Sequence, residues 1–483
     1  MMKSIQFFVL VMFLGCSGTN DKNQQTIISI DAGAGVLDSL NLNRFSLGTL
    51  KLASIRLDSL GRGKADLSLT EPTMCYFTLL NEGYEFYLSP GDKIRINIGK
   101  ENSGSNHSVV YSGSGSGFNN FLAVRRKEIN KVSRSRINPK LTTEKYLFKI
   151  DSFKNVLARG ADNFSDTANV SDEVLGLVKR MNQVDIAAFK LEHVLMLESY
   201  SLYEQTLARD AGQAIVPFIP PQGFEKVGDE IPLDSEVLKI GYAQYRHLLF
   251  LGLTHGIYNP AYDVMTWETE KTFFPAKSEK LIEARPYPAD IKEYLMAANV
   301  NYWMGIYGLS NPSVDSIYFS FIEKFSTSVY YPELKAVFNK WETIAPGKQA
   351  PTITGLTTEE KLIKLSELKG RVIYIDVWAT WCAPCREEFP HMKNLQKEFA
   401  NNEKVVFLNV SVDSNIEAWK KMVASGKTPA GLHIVNDGSI YGDYLISGIP
   451  HYILIDQQGK IVNADAARPS SGKAGEDIKN LIQ

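Results

Sequence analysis

The sequence predicts a multidomain chain: an all-β sandwich or barrel in front, an all-α middle and an α/β domain at the C-terminus. Three observations predict it. Short alternating apolar runs, separated by Gly, Pro and Asp, fill residues 26–111. Apolar residues recur at intervals of three and four from Asn119 to about Thr343. From Pro346 onward, strand-like and helix-like stretches take turns, the pattern of βαβ units. A length of 483 residues suits two to four domains, and 44% apolar content suffices for their cores. A net charge of −2 carries no bulk signal for nucleic acid or a membrane surface.

The chain opens with Lys3 and a mostly apolar run from Ile5 to Leu14, followed by Gly15-Cys16. Such a run is too short to span a bilayer stably and has the outline of a signal peptide. Leu14-Gly15-Cys16 resembles the lipobox of bacterial lipoproteins, although Phe13 stands where that family usually has leucine. The resemblance implies a signal peptide over residues 1–16, lipidation of Cys16, and a body attached to a membrane only through acyl chains. Ordinary secretion with cleavage near Gly18 is the alternative. Ser17 to Thr26 is polar and reads as a tether.

In the front domain, 26–111, the strand candidates are Thr49 to Arg56, Lys64 to Leu69, Met74 to Leu80, Glu85 to Leu88 and Lys93 to Ile98. Gly61-Arg62-Gly63 and Ser89-Pro90-Gly91-Asp92 punctuate them. The stretches FYLSPGDKIRINI and VVYSGSGSGFNNFL resemble the N-terminal β domain of the DUF4369 type that precedes thioredoxin-like lipoproteins. No function follows from that likeness. Cys75 lies in one of these strands among apolar and aromatic neighbours, so a buried inert thiol is expected.

Ser112 to Gly117 links this region to the helical one, 119–343. Helices are expected over Asp172 to Ala211, Ser235 to Gly252 and Pro288 to Tyr307, with breaks at Pro217, Pro220, Pro221 and Asn259-Pro260. Tyr242, Tyr245, Tyr302, Trp303 and Tyr307 read as core at this spacing. His193, His247 and His255 have no metal-ligand spacing and are assigned no role. A Pro/Gly linker, Ile344 to Pro351, leads to the last domain, 346–483.

There the apolar run Val372 to Val377 leads into Trp378-Ala379-Thr380-Trp381-Cys382-Ala383-Pro384-Cys385, and Arg386 to Phe399 continues as a helical pattern. Two cysteines thus sit three apart where a strand passes into a helix. A helix N-terminus carries about half a positive charge and free N–H donors, which stabilise a thiolate. Thiolate is the attacking form in disulfide exchange, and thiols in such motifs fall to pKa values of roughly 3.5–7.5. Cys382, at the exposed mouth, is expected to attack, and Cys385, deeper in the helix, to resolve the mixed disulfide. A structural disulfide or half a zinc site is the alternative. Zinc needs four ligands, and no second C-x-x-C or paired His cluster follows. With four cysteines in all, a disulfide-stapled scaffold is excluded.

The remaining elements are a strand at 404–412, a helix at 415–425, a strand at 432–435 and a helix near 439–446. Strands at 451–456 and 460–464 flank Gln457-Gln458-Gly459, and a last helix covers about 474–482. This order, with LKGRVIYIDVWATWCAPCREEFPHM and the extra segment 413–447, resembles the thioredoxin fold and, more closely, the TlpA/ResA branch of envelope thiol-disulfide oxidoreductases.

The resemblance implies roles for further residues. Ile449-Pro450 falls where the family has a cis-proline loop facing the cysteines, and Trp381, Ile449 and Pro450 would contact the substrate. Asp376, in an apolar strand six residues before Cys382, is a carboxylate that burial makes costly unless it serves a purpose. It matches the acid that takes the proton of the resolving cysteine; a solvated Asp at a strand end is the alternative. Glu388, i+3 from Cys385 on one helix face, matches the active-site glutamate of the branch. A surface acid favoured by the helix dipole is the alternative for Glu388.

The activity so implied is reduction of disulfides in client proteins, in the cell envelope facing the periplasm, by a protein recharged from a membrane electron donor. No cofactor beyond the Cys382–Cys385 pair, no metal and no nucleic-acid partner are expected. Two other readings are a client- or ligand-binding lipoprotein with a secondary redox domain, and a peroxiredoxin-type peroxidase. The peroxidase needs a proline six or seven residues before its cysteine, which is lacking before Cys382.

Overall fold

The computed structural model describes residues 25–79, 82–100, 107–133, 142–168, 170–210, 213–214, 219, 230–257 and 274–482. The predicted signal segment, Cys16, Pro217, Pro220, Pro221 and Asn259-Pro260 lie outside them. The chain divides into two compact units, residues 1–186 with 236–245, and 187–235 with 246–483. The division runs through the predicted helical segment 119–343, so its two parts belong to different units.

In the first unit, strands β1 (Thr26–Asp31), β4 (Arg62–Leu67), β7 (Lys93–Lys100) and β8 (His107–Gly113) form one sheet in the order β4-β1-β7-β8. Strands β2 (Ser39–Phe45), β3 (Thr49–Arg56), β5 (Thr73–Leu79) and β6 (Glu82–Leu88) form the other, in the order β3-β2-β5-β6. Ile28, Ile94 and Ile96 of one sheet and Leu42, Phe77 and Phe86 of the other share one apolar core, so the domain is a sandwich. β1, β2 and β8 were not among the strand candidates: β2 alternates leucine with asparagine, and β8 runs into the Gly/Ser stretch read as a link. Cys75 on β5 is 1% exposed, and burial pushes its thiol up to about 12.

Helices Ser116–Ser133 and Thr143–Ala168 lie in this unit, and Asp172–Asp210 forms a further, long helix. The predicted helix over Ser235 to Gly252 is two, Ser235–Lys239 and Ala243–Ile257, because Gly241 takes a left-handed conformation (φ 77°) between them. Helices Phe274–Ala284, Ala289–Tyr307, Pro312–Lys324 and Tyr331–Glu342 belong to the second unit. Trp303 is buried there as core, with Nε1 donating to Asn299 Oδ1 at 2.8 Å. No described helix is long and apolar enough to cross a membrane.

The C-terminal domain is built on a sheet in the order β10-β9-β13-β12-β11-β14-β15. Central β11 (Val372–Trp378) runs parallel to β12 (Val405–Ser411) and antiparallel to β14 (His451–Ile455). β13 (Leu432–Val435) and β15 (Ile461–Asn463) lie further out, with a hairpin of β9 (Thr354–Leu356) and β10 (Leu362–Lys364) at one edge. Every residue of β11 is buried, which explains why it is apolar throughout except for Asp376. Ile373, Ile375 and Val377 enter the core of one face, and Val372 and Tyr374 that of the other. Asp376 shares the parity of Val372, Tyr374 and Trp378, so the pleat carries it to their side.

Candidate active site

β11 ends at Trp378, and four residues later Cys382 takes an extended conformation (φ −81°, ψ 99°) as N-cap of the helix Ala383–Glu387. Pro384 stands in the first turn, where its missing N–H costs nothing. The Cys382 sulfur accepts a hydrogen bond from the backbone N–H of Cys385 at 3.2 Å. The two sulfurs are joined in a disulfide, with Cα atoms 5.3 Å apart.

The exposed mouth expected at Cys382 is not what the oxidised pair presents. Cys382 is 4% and Cys385 1% exposed, packed among Trp378, Phe389 and Trp419. The Cys382 sulfur lies against this apolar floor, and the exposed group at the rim is Trp381, at 65%. Ile449 packs on the same cluster, and the Ile449–Pro450 peptide is cis.

The single helix expected over Arg386 to Phe399 is interrupted. One helix ends at Glu387, and a second, Phe389–Glu398, starts after Glu388. Pro390 has no N–H to donate to Arg386, and its ring crowds that carbonyl, which is enough to break the ladder. At this break Glu388 is 8% exposed, and its carboxylate accepts from Ser470 N at 3.1 Å and Ser470 Oγ at 2.7 Å. A solvated surface acid is therefore not the description of Glu388; neighbouring Glu387 is the exposed one.

Asp376 is 3% exposed. Burial first, and then the Glu388 charge, push its carboxyl up to about 8. Its Oδ1 has no hydrogen-bond partner among the described residues, nor does the hydroxyl of Tyr452, the residue opposite it on β14. Burial in that setting favours the neutral carboxyl over the carboxylate.

Sequence reasoning missed Asp413. It stands just past β12, 4% exposed, and its carboxylate takes hydrogen bonds from Thr380 and Ser411. It also missed Ser470, which anchors Glu388, and Trp419, fully buried beside the disulfide on helix Ile416–Ala424. One available signal was position: residues at the carboxyl ends of neighbouring parallel strands converge, as Ser411 of β12 does on Trp378 of β11. Among the described residues no group of three or more His, Cys, Asp or Glu side chains is placed to hold a metal ion.

Residues 345–481 match the Redoxin family. The thiol-disulfide oxidoreductase ResA of Bacillus subtilis is 36% identical over 155 residues, covering 32% of this chain and 84% of that protein. The thioredoxin-like protein YneN of Bacillus subtilis is 31% identical over 118 residues, covering 24% of this chain and 69% of that protein. A solved structure, the thioredoxin domain of a thiol-disulfide oxidoreductase from Bacteroides vulgatus, is 27% identical, with 29% of this chain and 99% of that one covered and a TM-score of 0.26.

Proposed function

Because the chain belongs to the ResA family of thiol-disulfide oxidoreductases, we propose that it reduces disulfides of client proteins through Cys382 and Cys385. The observation that carries this reading is the Cys382 sulfur, N-cap of a helix and acceptor of the Cys385 N–H at 3.2 Å. In the reduced protein the same donor and the helix dipole favour the thiolate.

The Cys382 thiolate attacks one sulfur of a client disulfide. A bond forms between them, the client S–S bond breaks, and the other client sulfur leaves as thiolate. Cys385 then loses its proton, with Asp376 in its ionised form as the acceptor, and attacks Cys382. The mixed disulfide breaks, the second client thiol departs, and the Cys382–Cys385 disulfide remains. Two electrons have passed from the pair to the client. Glu388 acts on this step through its charge beside Asp376. Trp381, Ile449 and Pro450 form the rim on which the client's backbone rests. A membrane electron donor restores the dithiol.

The site of action is the cell envelope, periplasm-facing, with Cys16 carrying the lipid that holds the protein to a membrane. Support for that placement is the charged start, apolar run and Leu14-Gly15-Cys16 of the sequence. The test is a pair of variants. Cys382→Ser should abolish reduction of insulin or glutathione disulfide, whereas Cys385→Ser should attack once and accumulate a mixed disulfide visible by mass. Full turnover by Cys382→Ser would overturn the mechanism.

A further inference from the structure

We propose that Asp413 is a positioning residue for disulfide exchange, fastening the Ala379–Trp381 loop so that Cys382 is held at its helix N-terminus. The inference rests on the reading of Cys382 as the attacking thiol.

β11 and β12 are paired along their length, ending at Trp378 opposite Ser411, so the chain beyond each strand emerges beside the other. Past Trp378 the backbone has left the sheet, and its N–H groups need new partners. Asp413 supplies one for Thr380 N and binds the Thr380 hydroxyl as well. Its Oδ2 accepts from Thr380 N at 2.9 Å and from Ser411 Oγ at 2.8 Å, and its Oδ1 accepts from Thr380 Oγ1 at 2.6 Å. At 4% exposure this anion is tolerable because three donors surround it. Cys382 N donates back to Ala379 O at 3.1 Å, so the clamped arc closes on the cysteine itself. The far end of the arc is the sulfur that accepts from Cys385 N–H.

Charge and position pull in opposite directions here, which makes the proposal decidable. A fixed anion near the loop disfavours a thiolate. A firm hold on the loop keeps the sulfur on the helix N-terminus and favours it. If position dominates, loosening the clamp makes the thiol less acidic even when the anion is removed.

The experiment is a pH titration of the attacking thiolate by ultraviolet absorbance in reduced full-length protein. Thr380→Val keeps the carboxylate but loses one bond, and should raise the midpoint by about half a unit, roughly threefold less thiolate below it. Thr380→Ser, which keeps the hydroxyl, should titrate as wild type. Asp413→Asn should raise the midpoint at least as far and shift the reduction potential in the reducing direction. An unmoved midpoint in Thr380→Val, with or without a lower melting temperature, overturns the proposal, as does a lowered midpoint in Asp413→Asn. Should Asp413→Asn fail to fold, the Thr380 pair decides alone. Activity surviving in Cys382→Ser would instead defeat the underlying reading. Activity lost there, with Thr380→Val titrating as wild type, defeats only the clamp.

Discussion

A carboxylic acid without a hydrogen-bond partner for Oδ1, as at Asp376, is an expense that folding does not normally tolerate. Unfolded, that carboxyl ionises near 3.8, whereas in the fold it is held up to about 8. The folded protein therefore binds one more proton than the unfolded chain between those values, and stability falls as pH rises from about 4 to about 8. Asp376→Asn should flatten that slope, checked by urea midpoints across the range; an unchanged slope would show that Asp376 is not its source. The same carboxyl accepts a proton only once ionised, so release of the client from the mixed disulfide should quicken toward pH 8 in wild type and lose that rise in the variant. Asp376, the cysteines and Pro450 were legible because each is marked by its own chemistry: a charge in an apolar strand, two thiols at a junction, an imino acid before a strand. Asp413 and Ser470 were not, since their meaning lies in partners 33 and 82 residues away.

Among elements, the helix Ile416–Ala424 shows how a local signal serves the site. Asn415 is its N-cap and accepts from Ala418 N at 3.0 Å, while Trp419, one turn in, is fully buried against the disulfide cluster. Replacing the cap should loosen the turn that aims the indole. Asn415→Ala is expected to cost about 1 kcal/mol in urea unfolding, with a change in tryptophan fluorescence on oxidation that differs from wild type. A loss below a few tenths of a kcal/mol would mean that packing alone sets this helix. The sequence pattern located this helix and each larger strand of the domain to within a residue or so, because the periods of both are long enough to read. It missed the hairpin β9–β10, whose three-residue strands carry no period and whose turn is closed by Glu360 in a left-handed conformation (φ 64°) instead of glycine. It also read through Pro390, since apolar spacing continues on both sides of the break.

For the molecule as a whole, the start of the redox domain is packed more closely than the composition of its linker suggests. Ile344 to Pro351 has the Pro and Gly of a linker, yet Ile344 is 1% exposed within the core that includes Ile353, Ile363 and Ile461, and Trp341 packs against that core. Gly347 N donates to Ile461 O at 2.7 Å and Ala350 N to Gly459 O at 3.0 Å, so the segment is stitched to the β14–β15 turn and strand. A fragment of residues 346–483 therefore leaves out a buried isoleucine, at a cost of about 1.5–3 kcal/mol, and exposes the apolar surface beneath it. A fragment that starts at Tyr331 retains both Ile344 and Trp341. The longer fragment should unfold at a higher urea concentration with a similar dependence on denaturant, and both should reduce glutathione disulfide, since the cysteines, Asp413 and the cis-proline loop are present in each. Equal midpoints would place the boundary after Pro346, where composition alone puts it. Comparing the longer fragment with the full chain on folded clients then isolates the front of the molecule: slower reduction of folded clients, with glutathione disulfide unaffected, assigns client selection to the residues before Tyr331, and equal rates on every client remove that role.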